Sequence, residues 1–303
     1  MKPGVHKALI GQAGEWFTIA NLLKRGIHVQ GSAKNWPGFD LLATSPSGRR
    51  SRMIEVKSTS STSTTYASNL ANKTADFVVM VSQLRATSAR DASLLGTLGA
   101  QSSPRAFIVP MRSVRGLTLG SAFRIHKAKE SLYLDRWDRI KLAAERDPGV
   151  RESMRRQAEH HFVACHLARC GFHTTLGSPA YVDSPLMMGL DKSVARWKDV
   201  SYLSWIERGR FNRGHPVLIP VDVRPLTEAV TLLSSEHAGD PDAIVPVHHG
   251  GLIAMIDVRS ARPLETLVVF DREFLRRRRR TKEKWSLAEL GDRYRAEMLP
   301  WAA

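Results

Sequence analysis

The chain has 303 residues, of which 43% are hydrophobic, and it carries a formal net charge of +16 at pH 7. This hydrophobic content excludes a disordered, tail-like protein, and the length allows two domains with cores of their own. The basic excess lies mainly in residues 1–150, which hold 22 Lys and Arg against 10 Asp and Glu, compared with 23 against 19 in residues 151–303. A polyanionic partner is therefore expected, with simple solubility as the alternative.

Hydrophobic periodicity predicts an α/β first half that begins with a helix and continues as strands. In chain order, the predicted elements are a helix over residues 9–25, strands over 27–30, 39–44, 50–57, 76–82 and 105–109, and a terminal basic helical segment. The second and third strands are predicted to form a hairpin, because the turn-forming sequence Ser45-Pro46-Ser47-Gly48 lies between them.

Acidic and basic residues accompany this hairpin at positions that matter for chemistry. Asp40 lies at the head of the first strand, and the triplet Glu55-Val56-Lys57 closes the second. The hairpin brings Asp40 near Glu55, and period-two alternation places Glu55 and Lys57 on one face. Two carboxylates and an ammonium at one sheet edge suit a hard divalent cation and a polarised water, the chemistry of phosphodiester hydrolysis. A surface ion pair between Glu55 and Lys57 is the alternative.

Asp40 with Glu55-x-Lys57 resembles the PD-(D/E)xK nuclease superfamily, which includes many restriction enzymes and Holliday-junction resolvases. The resemblance covers about residues 11–145, from the helix that opens at Gly11 through the two buried strands to a tail at residues 133–138. One departure is that Gly38-Phe39 separates Pro37 from Asp40. The resemblance implies a restriction-endonuclease-like mixed sheet flanked by helices.

The resemblance also implies a role for each site residue. Asp40, Glu55 and the Val56 carbonyl would hold Mg²⁺, with Mn²⁺ as an alternative ion, and Lys57 would orient the attacking water. Such nucleases often carry a glutamate on the first helix, and Glu15 is similar to it, as a second-metal or water-mediated ligand. The implied activity is a metal-dependent DNA endonuclease acting in defence, repair or a mobile element.

Several basic residues are predicted to contact nucleic acid. Three lie at the hairpin end, where they are expected next to the metal site, one precedes the motif and five form a run near the C-terminus: Arg49, Arg50, Arg52, Lys34, Arg276, Arg277, Arg278, Arg279 and Arg280. In a helix the run would point all around the axis, so much of it must be solvated. Solvated turns and surfaces are the alternative interpretation of the eight arginines.

Asp147-Pro148-Gly149 is the predicted domain boundary, which gives a nuclease domain over 1–147 and a second α/β domain over 148–303. Two segments of the second half are similar in sequence to segments of the first. Gln12 to His28 matches Gln157 to His173 at an offset of 145, and Met53–Ser58 is echoed by Met255–Ser260, with Asp242 preceding Asp257 as Asp40 precedes Glu55. The second domain is therefore either a degenerate copy or, as chance matches between α/β segments would give, unrelated.

Cys165 and Cys170 are the two cysteines of the chain, and they form no C-x-x-C or zinc-binding pattern. Free thiols in a reducing cytoplasm are expected. No apolar run reaches the roughly 18 residues of a membrane span, and the first residues lead into an amphipathic helix rather than a secretory signal. These features predict a soluble, cytoplasmic protein with no membrane partner.

The leading hypothesis is a Mg²⁺-dependent DNA endonuclease, with a homodimer compatible with it. Two alternatives remain open at this point. One is a non-catalytic nucleic-acid-binding protein that keeps the nuclease scaffold. The other is a nuclease gated by a C-terminal sensor or protein-interaction domain.

Overall fold

The computed structural model describes residues 7–32, 38–61, 65–67, 70, 73–84, 103–114, 118–119, 122–169, 173–175, 186–190, 217–226 and 252–271. The chain divides into two units. The first spans His6–Arg85 and Ser103–Cys165, and the second contains the described strands that follow His166. The predicted mixed α/β class is confirmed.

A five-stranded mixed sheet with packed helices forms the first unit. Its elements are α1 (Lys7–Lys24), β1 (His28–Gly31), β2 (Leu41–Thr44), β3 (Ser51–Ser58), β4 (Thr65–Ala67), β5 (Phe77–Ser82), β6 (Arg105–Pro110), α2 (Met111–Val114), β7 (Thr118–Leu119), β8 (Ala122–Arg124), α3 (Glu130–Tyr133) and α4 (Pro148–Arg169), with 3₁₀ turns at Lys127–Lys129 and Trp137–Ile140. The strand order is β1-β2-β3-β5-β6, and β3 runs parallel to β5 while the other neighbours are antiparallel. The predicted helix and five strands are confirmed. A separate sheet in the order β4-β8-β7 was not predicted.

The hydrophobic core lies around the two central strands. All six residues of β5 and the four middle residues of β6 are buried, because protein covers both faces of these strands. Their side chains pack with Val114 of α2 and with residues of β8 and its flank in one cluster: Val78, Met80, Phe107, Val109, Val114, Phe123 and Ile125. By contrast, β2 alternates between buried and half-buried residues. The helix α1 packs against β3, which fixes the edge where the predicted site residues lie.

Helix α4 belongs to the first unit as far as Cys165. It packs on α1 through ring contacts, with centroids 5.1 Å apart for Trp16 and His161 and 5.9 Å apart for Phe17 and Phe162. The boundary predicted at residue 147 precedes this helix, whereas most of the helix is part of the first unit. The reason is the long buried face of this helix, which includes Met154 and Phe162 and contacts α1.

The second unit contains a second five-stranded mixed sheet. Its strands are β9 (His173–Thr175), β10 (Leu186–Leu190), β11 (Val217–Pro225), β12 (Leu252–Ile256) and β13 (Val268–Asp271), with a 3₁₀ turn at Pro263–Thr266. The order along the sheet is β9-β10-β11-β12-β13. In the described parts of the chain, no helix combines the length and the apolar character that crossing a membrane requires.

Candidate functional site

The β2–β3 hairpin places Asp40 beside Glu55. Leu41 pairs with Ile54 in the antiparallel register, so Asp40 lies one residue before the paired strand. The Asp40 amide donates to the Ile54 carbonyl at 2.9 Å, and the Val56 amide donates to Asp40 Oδ2 at 2.7 Å. These bonds fix the Asp40 carboxylate at the edge of β3, next to the backbone that separates Glu55 from Lys57.

A glycine allows the chain to enter β2 at this point. Gly38 has φ of +111°, a conformation that L side chains rarely adopt, and an added Cβ would overlap Thr74 Oγ1. The Thr74 amide donates to the Gly38 carbonyl at 3.2 Å. This contact holds the segment before β5 against the start of β2, and that segment carries Lys73.

Glu55 is a buried carboxylate held by two ammonium groups. It is 1% exposed, and its Oε1 lies 2.5 Å from Lys57 Nζ and 3.0 Å from Lys73 Nζ. Its Oε2 is also buried and has no hydrogen-bond partner among the described residues. The ion pair between Glu55 and Lys57 that the sequence left as the alternative is present, but Glu55 lies inside the protein and not at its surface. An unpartnered buried carboxylate oxygen is unfavourable unless a cation or a donor meets it.

Glu15 comes to the same edge on α1. The helix approaches β3 closely at Gly14, where an added Cβ would overlap Ser58 Oγ. The Glu15 side chain keeps contact with solvent, yet desolvation by the surrounding protein raises its pKa to about 7, and the negative charges of Asp40 and Glu55 raise it further. The three carboxyl groups therefore interact electrostatically at one place.

Burial also raises the pKa of Asp40, and the hydrogen bond from the Val56 amide opposes this rise. The charge of Glu55 raises it further, while Lys57 and Lys73 lower it. Crowded carboxyls of this kind are stabilised by a nearby cation, since the cation favours their charged forms.

The donor set is compatible with a hard cation but is small. In the residues that the structure describes, no group of three or more His, Cys, Asp or Glu side chains is placed to hold a metal ion. Asp40 and Glu55 with a backbone carbonyl at Val56 supply three oxygens, and magnesium commonly keeps several waters on such a partial protein shell. The unpartnered Oε2 of Glu55 and the mutual repulsion of the carboxyls are the observations that favour such an ion.

The predicted arginine contacts are not brought to this site. Arg49 and Arg50 are exposed in the turn at the opposite end of the hairpin, and Arg52 donates to the neighbouring Ser51 carbonyl at 3.2 Å. At about 3.3 Å per residue, Arg52 lies roughly 10 Å along β3 from Glu55, on the other face by alternation. The expectation that these arginines sit next to the metal site is therefore wrong. Strand direction explains this, because the turn and Asp40 lie at opposite ends of β2.

The remaining predicted nucleic-acid contacts lie outside the described residues: Lys34, Arg276, Arg277, Arg278, Arg279 and Arg280. One residue of the site was missed. Lys73 lies in the polar loop sequence Ala71-Asn72-Lys73-Thr74, which has no periodicity and no motif spacing to Glu55. A single lysine in such a loop carries no signal from which its partner could have been inferred.

Comparisons with protein-family models, with curated proteins and with solved structures find no match to this chain. The chemistry of the site therefore has to be argued from its own residues.

Proposed function

We propose that the first unit is a Mg²⁺-dependent DNA endonuclease with a restriction-endonuclease-like sheet. The observation that carries the proposal is the buried Glu55, whose Oε1 contacts Lys57 and whose Oε2 has no partner in the described part of the chain. The neighbouring Asp40 is fixed by a backbone amide. This acid-acid-lysine set at one strand edge supports phosphodiester hydrolysis over a purely structural ion pair.

Each residue would contribute a distinct property. Asp40 and Glu55, with the Val56 carbonyl, would hold Mg²⁺, which when bound supplies a Lewis acid that acidifies a water and offsets negative charge on the phosphate. Lys57 is a compact cation on the same strand face as Glu55, suited to orient a water or contact a phosphate oxygen. Glu15, with a pKa of about 7, can hold or release a proton near neutral pH.

The basic composition of the first half supports DNA as the substrate. Residues 1–150 carry most of the net positive charge of the chain, and such an excess favours a polyanion through counterion release. Arg49 and Arg50, which are exposed at the hairpin turn, would then contact the DNA backbone at phosphates away from the scissile one.

The experiment is incubation of the full chain with supercoiled, linear, single-stranded and branched DNA, with Mg²⁺, Mn²⁺ or EDTA. Glu55→Gln should reduce metal-dependent cleavage by about 10³-fold or more while DNA binding persists, because it removes a charge needed in the transition state. Glu130→Gln is the matched control, since Glu130 is a half-buried carboxylate paired with Arg105 at 2.5 Å elsewhere in the same unit. Full cleavage by Glu55→Gln would overturn the proposal.

A non-catalytic nucleic-acid-binding protein remains the second candidate, because two ammonium groups already neutralise Glu55. The two candidates differ in metal binding. In the nuclease, Lys73 competes with the cation for Glu55, so Lys73→Ala should strengthen Mn²⁺ binding by about fivefold, a change of about 1 kcal/mol. If Glu55 and its two lysines serve only to stabilise the fold, Lys73→Ala should lower the free energy of unfolding. In that case neither the wild type nor the variant should bind Mn²⁺. Lys129→Ala, an exposed lysine, controls for the loss of charge.

A further inference from the structure

The second sheet repeats the strand order and orientation of the first. In the first sheet, β1, β2 and β3 are successively antiparallel, β5 runs parallel to β3, and β6 is antiparallel to β5. In the second sheet, β9, β10 and β11 are successively antiparallel, β12 runs parallel to β11, and β13 is antiparallel to β12. The single parallel pair therefore falls at the same place in both.

The register is repeated as well. His28 pairs with Thr44 in the first sheet, and His173 pairs with Gly189 in the second. Both residues of the pair are shifted by 145 positions, from 28 to 173 and from 44 to 189. This is the offset at which the sequence itself shows similarity between the two halves.

The third strand has the same register on both of its sides. Ile54 of β3 faces the first residue of β2 and also Phe77, the first residue of β5. Val221 of β11 faces the first residue of β10 and also Leu252, the first residue of β12. Thus β11 corresponds to β3, and the second copy has extra residues in the connection between β10 and β11 and in that between β11 and β12.

The first helix has a counterpart at the same offset. Trp16 contacts His161 and Phe17 contacts Phe162, and in each pair the positions differ by 145. A residue that contacts its own equivalent is the mark of a two-fold relation, here between the helices α1 and α4. One offset therefore links the helices, the first strands and the second strands.

The register corrects the correspondence suggested by sequence similarity alone. The sequence similarity pairs Met53–Ser58 of β3 with Met255–Ser260, but β12 takes the place of β5, so this pairing is wrong. Asp257 follows β12 in a turn, where its Oδ1 accepts from the Arg259 amide at 2.9 Å. Asp242 lies outside the described residues.

The true counterpart of the acid-x-lysine triplet lies on β11. Glu55 faces the second residue of β5, and Asp222 faces the second residue of β12. Two positions later, Lys57 corresponds to Arg224. Guanidinium is larger than ammonium, remains charged and binds phosphate as a planar fork, so it does not replace a compact ammonium that positions water.

The other two acidic positions have lost their carboxylates. His160 stands at the position of Glu15 and hydrogen bonds through Nδ1 to the Arg156 carbonyl at 2.7 Å. The residue before β10 is Pro185, where Asp40 precedes β2. Of the four equivalent positions, Asp222 alone keeps an acid.

We propose that this chain is an internal duplication in which the first copy alone keeps the catalytic set, so that one chain cuts one strand of a DNA duplex. The inference rests on the proposed nuclease function for the cleavage step and on the paired registers for the duplication. In that step a water oxygen forms a new bond to phosphorus, a phosphorus–oxygen ester bond breaks, and a proton reaches the leaving oxygen. A single catalytic centre cleaves one strand each time the protein binds DNA. Cleavage of the opposite strand therefore requires a second binding event.

The first test measures Mn²⁺ binding to the full chain by calorimetry, without DNA. Asp40→Asn should weaken binding at least tenfold, and Asp222→Asn should leave affinity and stoichiometry unchanged. Equal loss in both variants would mean that the second copy holds metal, and the single-centre inference would fail. Circular dichroism of each variant checks that it is folded.

The second test follows supercoiled plasmid over time with limiting protein. Open-circular DNA should accumulate first, with linear DNA only later, and Asp222→Asn should nick within about twofold of the wild-type rate. Linear DNA that forms together with the nicked product from the start would overturn the proposal, as would loss of cleavage in Asp222→Asn. If no DNA is cut while only Asp40→Asn weakens Mn²⁺ binding, the nuclease function fails and the single metal centre stands.

Discussion

The two sheets share strand order and register but differ at the residues of the candidate site. At equivalent positions the first has Asp40 and Lys57, and the second has Pro185 and Arg224. A sheet of this topology therefore forms without an aspartate or a lysine at these positions. The comparison teaches that the fold does not require the acid-acid-lysine set, which points to a chemical reason for its presence in the first sheet.

Among the variants that test this comparison, the largest effect is expected when the residue of the second sheet is placed in the first. Lys57→Arg keeps the positive charge, but its planar guanidinium does not reproduce the position of the ammonium 2.5 Å from Glu55 Oε1. We expect DNA cleavage to fall by about 100-fold or more, since loss of one positioned donor in the transition state has this size. Single-turnover cleavage with saturating protein separates this from weaker DNA binding.

The reciprocal change, Arg224→Lys, is the matched control and should leave cleavage within about twofold. If Lys57→Arg cut DNA at the wild-type rate, the difference between the sheets at this position would have no catalytic meaning. Gain of cleavage in Arg224→Lys would contradict the inference that the first copy alone is catalytic, because the second sheet would then act without carboxylates equivalent to Asp40 and Glu15.

A stability effect is expected where α1 approaches β3. Gly14→Ala would push a Cβ into Ser58 Oγ, whereas a Cβ at Gly11 meets nothing within 4 Å. Overpacking of this kind costs about 1–3 kcal/mol, so Gly14→Ala should lower the free energy of unfolding in urea by that amount. Gly11→Ala should instead be neutral or stabilising by up to about 1 kcal/mol, through helix propensity.

This pair of variants also sharpens the comparison between the helices. The position equivalent to Gly14 in α4, at the offset of 145, is Glu159, which is buried and not a glycine. The need for glycine is therefore specific to the approach of α1 to β3. Equal unfolding free energies for the two alanine variants would show that Ser58 moves aside at little cost.

Sequence patterns were informative where local periodicity decides the structure. The hairpin placed Asp40 at Glu55 correctly, because alternation and a turn sequence fix the register of a two-stranded unit. Lys73 could not have been found, since its contact with Glu55 depends on the packing of a loop against Gly38. The match of β12 to β3 failed for a similar reason: similar apolar strands are distinguished by their neighbours in the sheet, which no local pattern contains.

The smallest effect concerns the pH dependence of stability, to which Glu15 of α1 and the buried His161 of α4 contribute with opposite slopes. The pKa of Glu15 is raised from 4.5 to about 7 in the folded protein. Between these values the folded state binds more protons than the unfolded state, so the contribution of Glu15 to stability falls as pH rises from about 4.5 to 7. The pKa of the buried His161 is lowered from 6.5 to about 3, which gives the opposite slope between about pH 3 and 6.5.

The contribution of Glu15 to stability is obtained from the difference in unfolding free energy between the wild type and a variant without the carboxyl. Glu15→Gln keeps the shape and the His161 slope but removes the titrating carboxyl, so in EDTA the variant should gain stability relative to wild type as pH rises from 5 to 8. Urea unfolding at unit pH intervals measures this difference, which solvent access to Glu15 keeps small. Glu152→Gln, which removes a carboxylate paired with Arg155 on α4, is the control and should show no such gain. A Glu15→Gln difference that stays constant with pH would mean that neither burial nor the charges of Asp40 and Glu55 raise the pKa of Glu15, and its place in the site would be lost.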